Sequence, residues 1–254
     1  MSTLLTIQPK ILFSYPSAKD FTNMLNTISE IVEEVLFEVS TSGLSVKALD
    51  PSRVALLRVE LPAEAFQEFK AEQELKIGLA VGNLVKVLKN LKKGDKITIA
   101  ANEEFVEVVV EGTTTRRYKF RNIEVASEEV PEIKPEFDVE ASATASVVRT
   151  IISELASLTS TIGLSATKDA LVFIDLDTKK ASHRITQASG NLISLNLKKE
   201  EQITVPYDSE YLSKIVDILR LGSVVDIKFG SEAPLYMALQ FSGGKAEYFL
   251  AAKI

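Results

Sequence analysis

The sequence predicts an α+β chain built as two similar halves, each of antiparallel sheet with helices on one face. Three observations predict it. Short runs with apolar residues at every second position, the period of a half-buried strand, recur along most of the chain. Between them stand only four stretches with helical apolar spacing, which is an α+β pattern. Finally, one strand–helix–strand unit occurs twice. In residues 74–101, Leu75, Ile77 and Leu79 alternate, then Leu84, Val87, Leu88 and Leu91 form a helical stripe, then Ile97 and Ile99 alternate again. Leu84, Lys86, Leu91, Gly94 and Ile99 meet Leu212, Lys214, Leu219, Gly222 and Ile227, each 128 positions on. Residues 42–50 match 169–177 at a spacing of 127, pairing Leu44 with Leu171 and Asp50 with Asp177. Two separate matches at nearly one offset predict domain duplication rather than a solenoid, whose repeats are shorter.

Taken in order, residues 1–9 read as a loose tail. Residues 10–15 form a strand ended by Pro16, and Ser17 is placed to cap a helix over 19–32 whose buried stripe is Phe21, Met24, Leu25, Ile28 and Ile31. Residues 35–40 and 44–49 make a hairpin through Thr41, Ser42 and Gly43. A strand over 53–61 ends at Pro62, and 63–69 has room for one or two helical turns. The 74–101 unit carries a helix over 81–93, stopped by Gly94, with Lys92 and Lys93 where the helix dipole favours cations. Residues 105–110 and 114–122 close the first half. Residues 124–136 are acidic, hold Pro131 and Pro135 and show no period, so they read as an extended linker. The second half repeats the plan: strands at 137–143, 161–166, 171–175, 181–186, 192–197, 203–206, 224–229, 235–241 and 247–252, with helices over 145–158 and 209–221. The resulting division is a tail at 1–9, domains at 10–123 and 137–254, and a linker at 124–136.

Composition narrows the chemistry. Of 254 residues, 46% are apolar, enough for two real cores. Twenty-nine basic and 35 acidic residues give a net charge of −6, which excludes a surface basic all over but leaves room for one basic face. Without cysteine there is no disulfide, thiol catalysis or cysteine metal site. No basic, apolar leader opens the chain and no run of about 18 apolar residues crosses a membrane, so a soluble intracellular protein is expected. His183 is the only histidine, and Asp175 and Asp177 at i, i+2 are a thin basis for a metal or an acid–base pair. Gly243, Gly244 and Lys245 lack the spacing and following helix of a phosphate loop. No metal and no cofactor is expected.

The lysines carry more. Lys86, Lys89 and Lys93 share the helix face opposite the apolar stripe, with no acid between residues 81 and 94. Such a row on one helix is usually a solvated face. Here Lys214 repeats Lys86, and Arg149 and Arg220 add cations to the second-half helices, a pattern expected of a phosphate-binding face.

Residues 42–61, Ser-Gly-Leu-Ser-Val-Lys-Ala-Leu-Asp-Pro-Ser-Arg-Val-Ala-Leu-Leu-Arg-Val-Glu-Leu, together with Leu75-Lys-Ile-Gly-Leu, Leu84-Val-Lys-Val-Leu-Lys, Glu232-Ala-Pro-Leu and the closing Tyr248-Phe-Leu-Ala-Ala-Lys-Ile, resemble the DNA sliding clamps of archaea and eukaryotes, the proliferating cell nuclear antigen family. The resemblance runs from about residue 10 to the end, and the acidic linker is most similar to archaeal members. It implies the DNA-clamp fold and a three-subunit ring of six similar domains, helices lining the hole and sheets outside. Such a ring encircles duplex DNA without reading its sequence and tethers DNA polymerase, flap endonuclease and DNA ligase as a non-enzymatic processivity factor for replication and repair, placed on DNA by a clamp loader. Its expected setting is the cytoplasm of an archaeal cell, at the nucleoid.

The resemblance also implies sites. Lys86, Lys89, Arg149 and Lys214 face the hole; Lys93 and Arg220 join them by helical spacing, and Lys19 is the one lysine the first helix offers. Client peptides with aliphatic and aromatic anchors enter a pocket of Leu49, Arg53, Val130, Pro234, Phe249 and Ala251. Ring joints pair the edge strand at 114–122, with Arg117, Tyr118, Lys119, Phe120 and Arg121, to the edge at 178–186, with Lys180, Ser182, His183 and Arg184, on the next subunit. Both edges are basic, which favours a heterotrimer of related subunits over the homotrimer that Tyr118 and Phe120 would still allow. In one departure from the family, Ala252 stands where proline is usual. The competing expectation is a small-molecule enzyme of α+β class using Asp175, Asp177 and His183.

Overall fold

The computed structural model describes residues 5–127, 130, 135–198 and 203–253. The first half of the chain runs β1 (Ile11–Tyr15), α1 (Ala18–Ser29), β2 (Glu34–Ser40), β3 (Gly43–Leu49), β4 (Ala55–Pro62), β5 (Glu68–Ala71), β6 (Leu75–Ala80), α2 (Val81–Val87), β7 (Lys96–Ala101), β8 (Phe105–Glu111) and β9 (Thr115–Arg121). The second runs β10 (Val139–Thr144), α3 (Ala145–Ala156), β11 (Thr161–Thr167), β12 (Ala170–Asp175), β13 (Ser182–Thr186), β14 (Leu192–Leu197), β15 (Ile203–Asp208), α4 (Ser209–Ser213), β16 (Val224–Gly230), β17 (Ala233–Phe241) and β18 (Gly244–Leu250). The chain divides into two compact units. One holds Met1–Leu49, Leu57–Glu129 and Ser242–Lys245; the other holds Asp50–Leu56, Val130–Phe241 and Ala246–Ile254.

The duplication read from the sequence is a duplication of topology. In the first half the strands neighbour one another as β5-β1-β7-β8-β9 and β4-β3-β2-β6. In the second they run β14-β10-β16-β17-β18 and β13-β12-β11-β15, the same orders with every strand number raised by nine. Short connections make neighbouring strands antiparallel, as in β2–β3, β7–β8, β8–β9 and β11–β12. Gly43 shows why the β2–β3 turn is specified: its φ of 144° lies where only glycine is unstrained, and a Cβ there would stand 2.2 Å from the Leu61 carbonyl oxygen.

Each unit has its own core. In the first, the strand period buries Phe13 and Tyr15, and the α1 stripe adds Phe21, Met24, Leu25 and Ile28. Phe13 meets Phe66 edge-on at 5.2 Å, and Tyr15 meets Phe66 at 5.7 Å. Ser17 caps α1 as its sequence indicates, accepting the Asp20 amide at 3.2 Å. In the second, Val148, Ile152 and Leu155 of α3 are buried with Leu164, Phe173, Ile227 and Phe229 of the strands.

Several expectations need correction. Two helices have a dozen residues, but α2 has seven and α4 five, among the described residues. The helix expected over 81–93 ends at Val87 because Asn90 turns into the left-handed region at φ 61°, ahead of Gly94. The helix expected over 209–221 holds only to Ser213. Beyond it the amides of Lys214, Val216 and Arg220 bond three residues back, and a 3-10 turn covers Ile218–Arg220. The β-branched residues Ile215, Val216 and Ile218 disfavour regular helix there. Residues 63–69 hold a 3-10 turn, Ala63–Ala65, and then begin β5, an edge strand too short to show a period. The tail is not loose over its described part: the Thr6 amide donates to the buried Glu107 carboxylate at 2.8 Å, and the Thr6 hydroxyl donates to it as well. No helix among the described residues is long and apolar enough to cross a membrane.

Candidate nucleic-acid and peptide interfaces

In the first unit α1 packs against α2, and the faces left outside carry Lys19 and Lys86, both exposed. Lys89 and Lys93 are exposed as well, but they follow the end of α2. The i, i+3, i+7 helical row is therefore replaced by one helical lysine and two on the following turns. The Lys89 carbonyl accepts the Arg116 guanidinium at 3.1 Å, and the Lys92 amide donates to Asp95 at 3.0 Å, so this irregular stretch is tied down. In the second unit α3 packs against α4 and the 3-10 turn, which carry Arg149, Lys214 and Arg220. Lys214 caps α4, its ammonium 4.4 Å from the centre of the Tyr211 ring, and is half-buried. Arg220 is paired with Asp217 at 3.1 Å, so its charge is partly spent inside the chain.

The residues expected to take a client peptide fall in both units. Leu49 ends β3 and is half-buried. In the second unit the Ala251 amide donates to the Val54 carbonyl at 2.9 Å, which sets Ala251 beside the turn of Arg53. Arg53 is exposed and left-handed, at φ 57°. Asp50 builds that turn: it is 2% exposed and accepts the amides of Ser52, Val54 and Ala55 at 3.0, 2.6 and 2.5 Å, and the Tyr211 hydroxyl at 3.1 Å. Phe249 is buried, its ring 5.0 Å from that of Tyr236, which also stands 6.0 Å from the Phe137 ring. Pro234 and Val130 are half-buried. Sequence reasoning missed Tyr211, Tyr236 and Phe137. A tyrosine whose partner lies 161 positions away, as Asp50 does from Tyr211, leaves no local signal.

Both expected joint strands are sheet edges. β9 ends one sheet, with Arg117, Lys119 and Arg121 exposed on one side and Tyr118 and Phe120 half-buried on the other. β13 ends another, with Ser182 and Arg184 exposed; it begins at Ser182, so Lys180 lies in the preceding turn rather than on the edge. Much of the positive charge is locally balanced. Arg117 stands 3.9 Å from Glu107, and Arg116 stands 3.5 Å from Asp95. Lys119 lies 4.0 Å over the Phe105 ring, Arg184 forks Asp169 with two bonds of 2.8 Å, and His183 meets Glu154 at 3.3 Å.

The model of the proliferating cell nuclear antigen N-terminal domain matches residues 15–130. A DNA polymerase sliding clamp 1 from Sulfolobus acidocaldarius is 31% identical over 245 residues, covering 94% of this chain and 98% of that relative. The chain belongs to the DNA polymerase sliding clamp family. A sliding clamp 1 from Pyrobaculum aerophilum is 29% identical, over 96% of this chain and 99% of its own length. Among solved structures, the PCNA of Thermococcus kodakaraensis superposes with a TM-score of 0.86 at 25% identity, covering 96% of this chain and all of that one. A chain of the PCNA2–PCNA3 complex from Sulfolobus tokodaii superposes at 0.88 and 24%, covering 95% and 99%. The fold is the DNA-clamp fold.

Within this family the enzyme expectation finds no support, and the geometry of its three residues agrees. Asp175 is buried and accepts the Asp177 and Thr178 amides, both at 3.0 Å, and the Thr178 hydroxyl, which pull its pKa down to about 2. Asp177 accepts the Thr159 hydroxyl at 2.7 Å and the Ser160 amide and hydroxyl at 2.8 Å, and is likewise held well below the usual range. Asp175 shapes the β12–β13 turn, as Asp50 shapes the β3–β4 turn, and Asp177 ties that turn to the residues just before β11. The capping role of Asp50 thus falls in the second half on Asp175, two residues before its sequence match. The first unit has an open groove of about 840 Å³ lined by Glu38, Ser40, Glu60, Pro62, Lys76 and Lys245 among others; none of the expected site residues lines it. Among the described residues no group of three or more His, Asp or Glu side chains is arranged to hold a metal ion.

Proposed function

We infer that the chain is a subunit of a DNA polymerase sliding clamp: a ring that encircles duplex DNA and holds DNA polymerase on it as a processivity factor. The observation that carries this reading is family membership along nearly the whole chain, joined to a topology repeated strand for strand. The reading is of a non-enzymatic scaffold in the cytoplasm, acting at the nucleoid. Its two clamp domains are residues 10–123 and 137–254, with the linker at 124–136 between them. Lys19, Lys86, Lys89, Lys93, Arg149, Lys214 and Arg220 face the DNA. Exposed lysines on short, water-accessible elements suit a ring that slides, since phosphate contacts position without specifying sequence. Leu49, Arg53, Val130, Pro234, Phe249 and Ala251 receive client peptides, including those of flap endonuclease and DNA ligase, and a clamp loader opens the ring. An aromatic anchor in such a pocket contributes roughly 2–3 kcal/mol by burial.

The joints are β9 of one subunit against β13 of the next. Local pairing of Arg117, Arg184 and His183 reduces the repulsion expected between two basic edges; Lys119 and Arg121 keep the β9 edge positive, and Lys180 adds a positive charge just before β13 rather than on its edge. We therefore keep the heterotrimer of related subunits as the favoured ring. One experiment tests function and composition together: primer extension on primed circular DNA, with the chain alone and with its related subunits. Products should lengthen only with the related subunits and a loader. No lengthening in any combination overturns the clamp reading, and full lengthening with this chain alone overturns the heterotrimer.

A further inference from the structure

Asp50 and Asp175 are buried at turns that they close; Glu107 is buried in the middle of β8, 0% exposed. Val106, Val108 and Val110 lie on the core face of β8, in register with Ile97 and Ile99 of β7 and with Phe13 and Tyr15 of β1 beyond them. Alternation puts Glu107 on the other face, between Ala100 of β7 and Lys119 of β9. A carboxylate withdrawn from water is costly unless its oxygens are bonded. Here the segment ahead of β1 supplies the bonds: the Thr6 amide donates to one oxygen at 2.8 Å, and the Thr6 hydroxyl donates to the other. That segment is itself held at Gln8, whose carbonyl accepts the Asn102 side-chain amide at 3.3 Å, and at Lys10, whose amide donates to the Ala101 carbonyl at 2.9 Å.

The cations of β9 stand aside from this carboxylate. The Arg117 guanidinium is 3.9 Å from the oxygen that the Thr6 hydroxyl occupies, beyond hydrogen-bond reach, so the ion pair stays loose. Lys119, directly across from Glu107, turns its ammonium over the Phe105 ring at 4.0 Å, and Arg121 lies over the same ring at 5.7 Å. All three side chains are exposed, on the strand that ends its sheet. A buried carboxylate beside a basic strand draws the nearest cation onto itself when its oxygens are bare. Thr6 occupies both oxygens, and the charge of the strand stays outside.

We propose that residues 5–9 are a clasp on Glu107 that keeps the positive charge of β9 available to the strand edge of another subunit, one with acidic side chains on the facing side. The proposal rests on the reading of β9 as a ring joint. With the clasp released, Arg117 closes on the bare carboxylate, its charge leaves the joint, and pairing with an acidic edge weakens. The test uses the full chain. Ser182→Glu and Arg184→Glu together give β13 an acidic exposed face, so that each molecule offers such an edge to the β9 of the next. In that background Thr6→Pro removes both bonds to Glu107, since proline has neither an amide proton nor a hydroxyl. Sedimentation equilibrium at low salt should show tighter self-association of the Ser182→Glu, Arg184→Glu chain than of wild type. Thr6→Pro should then weaken it about fivefold per joint, with a shallower salt dependence. The Arg117 guanidinium protons, followed by NMR, should exchange with water more slowly in Thr6→Pro. Arg117→Gln replaces an exposed residue and separates this role from plain support of the strand: it should weaken association by itself, after which Thr6→Pro adds nothing. An equal loss from Thr6→Pro with and without Arg117 overturns the clasp, as does unchanged association or unchanged Arg117 exchange in Thr6→Pro. No gain in association from the acidic edge sinks the joint reading and this role with it, while the exchange measurement still judges the Thr6–Glu107 contact separately.

Discussion

Asp175 shows how a residue that resembles chemistry in sequence becomes architecture in the fold. It is buried and receives the amides of Asp177, Thr178 and Lys180 along with the Thr178 hydroxyl. All of these donors favour the ionised carboxylate, so its pKa falls to about 2 from an ordinary value near 3.9. The unfolded chain binds a proton at higher pH than the folded chain does. Stability from this group is therefore complete above about pH 4 and is lost as pH falls toward 2. Thermal unfolding of Asp175→Asn should show a shallower decline than wild type across that interval, and an unchanged acid limb would mean that Asp175 plays no part in acid stability. The sequence shows Asp175 and Asp177 two apart and His183 nearby; it does not show that Thr159, Ser160 and Thr178 occupy the two carboxylates. Ser17, by contrast, was legible, because an N-cap bond spans three residues. The bond from Tyr211 to Asp50 was not, because the fold alone brings those positions together.

At the scale of elements, period was a good guide to strands and a poor one to helix length. β14 runs over the residues its alternation marks, and α1 buries the expected stripe. The apolar spacing of residues 84, 87, 88 and 91 overran α2, since a hydrophobic stripe records which side faces the core and not whether the backbone stays helical. Asn90 supplied the stop, and its capacity for the left-handed region was the signal available. For the proposed DNA-facing surface, Lys86 is helical while the exposed Lys89 and Lys93 follow the helix end, without a common helical face. Neutralising Lys86, Lys89 and Lys214 together should leave folding intact and weaken DNA-dependent stimulation of polymerase. The salt dependence of DNA binding should flatten by about 0.9 in log–log slope for each phosphate no longer neutralised. Titrations over a series of salt concentrations check this; wild-type slope and stimulation in the triple variant would remove these lysines from the DNA-facing surface.

For the whole molecule, the duplication was the most legible feature, since two separate matches at nearly one offset already implied two halves of one design. The structure turns that offset into a rule, strand n of the first half standing where strand n + 9 stands in the second. Assembly was less legible. Which edges are basic can be read directly, but whether Glu107, Asp169 and Glu154 answer that charge depends on a neighbouring strand, a turn and a helix that no local window brings together. A ring that encircles DNA is held on it by topology more than by affinity. The direct measurement is retention on DNA after loading: the ring is placed on nicked circular DNA, washed at a salt concentration that screens phosphate contacts, and counted before and after one cut linearises the circle. The ring should stay on the circle through the wash and leave once the DNA has ends. Equal retention on circular and linear DNA, or loss from both at the same salt, would contradict encirclement.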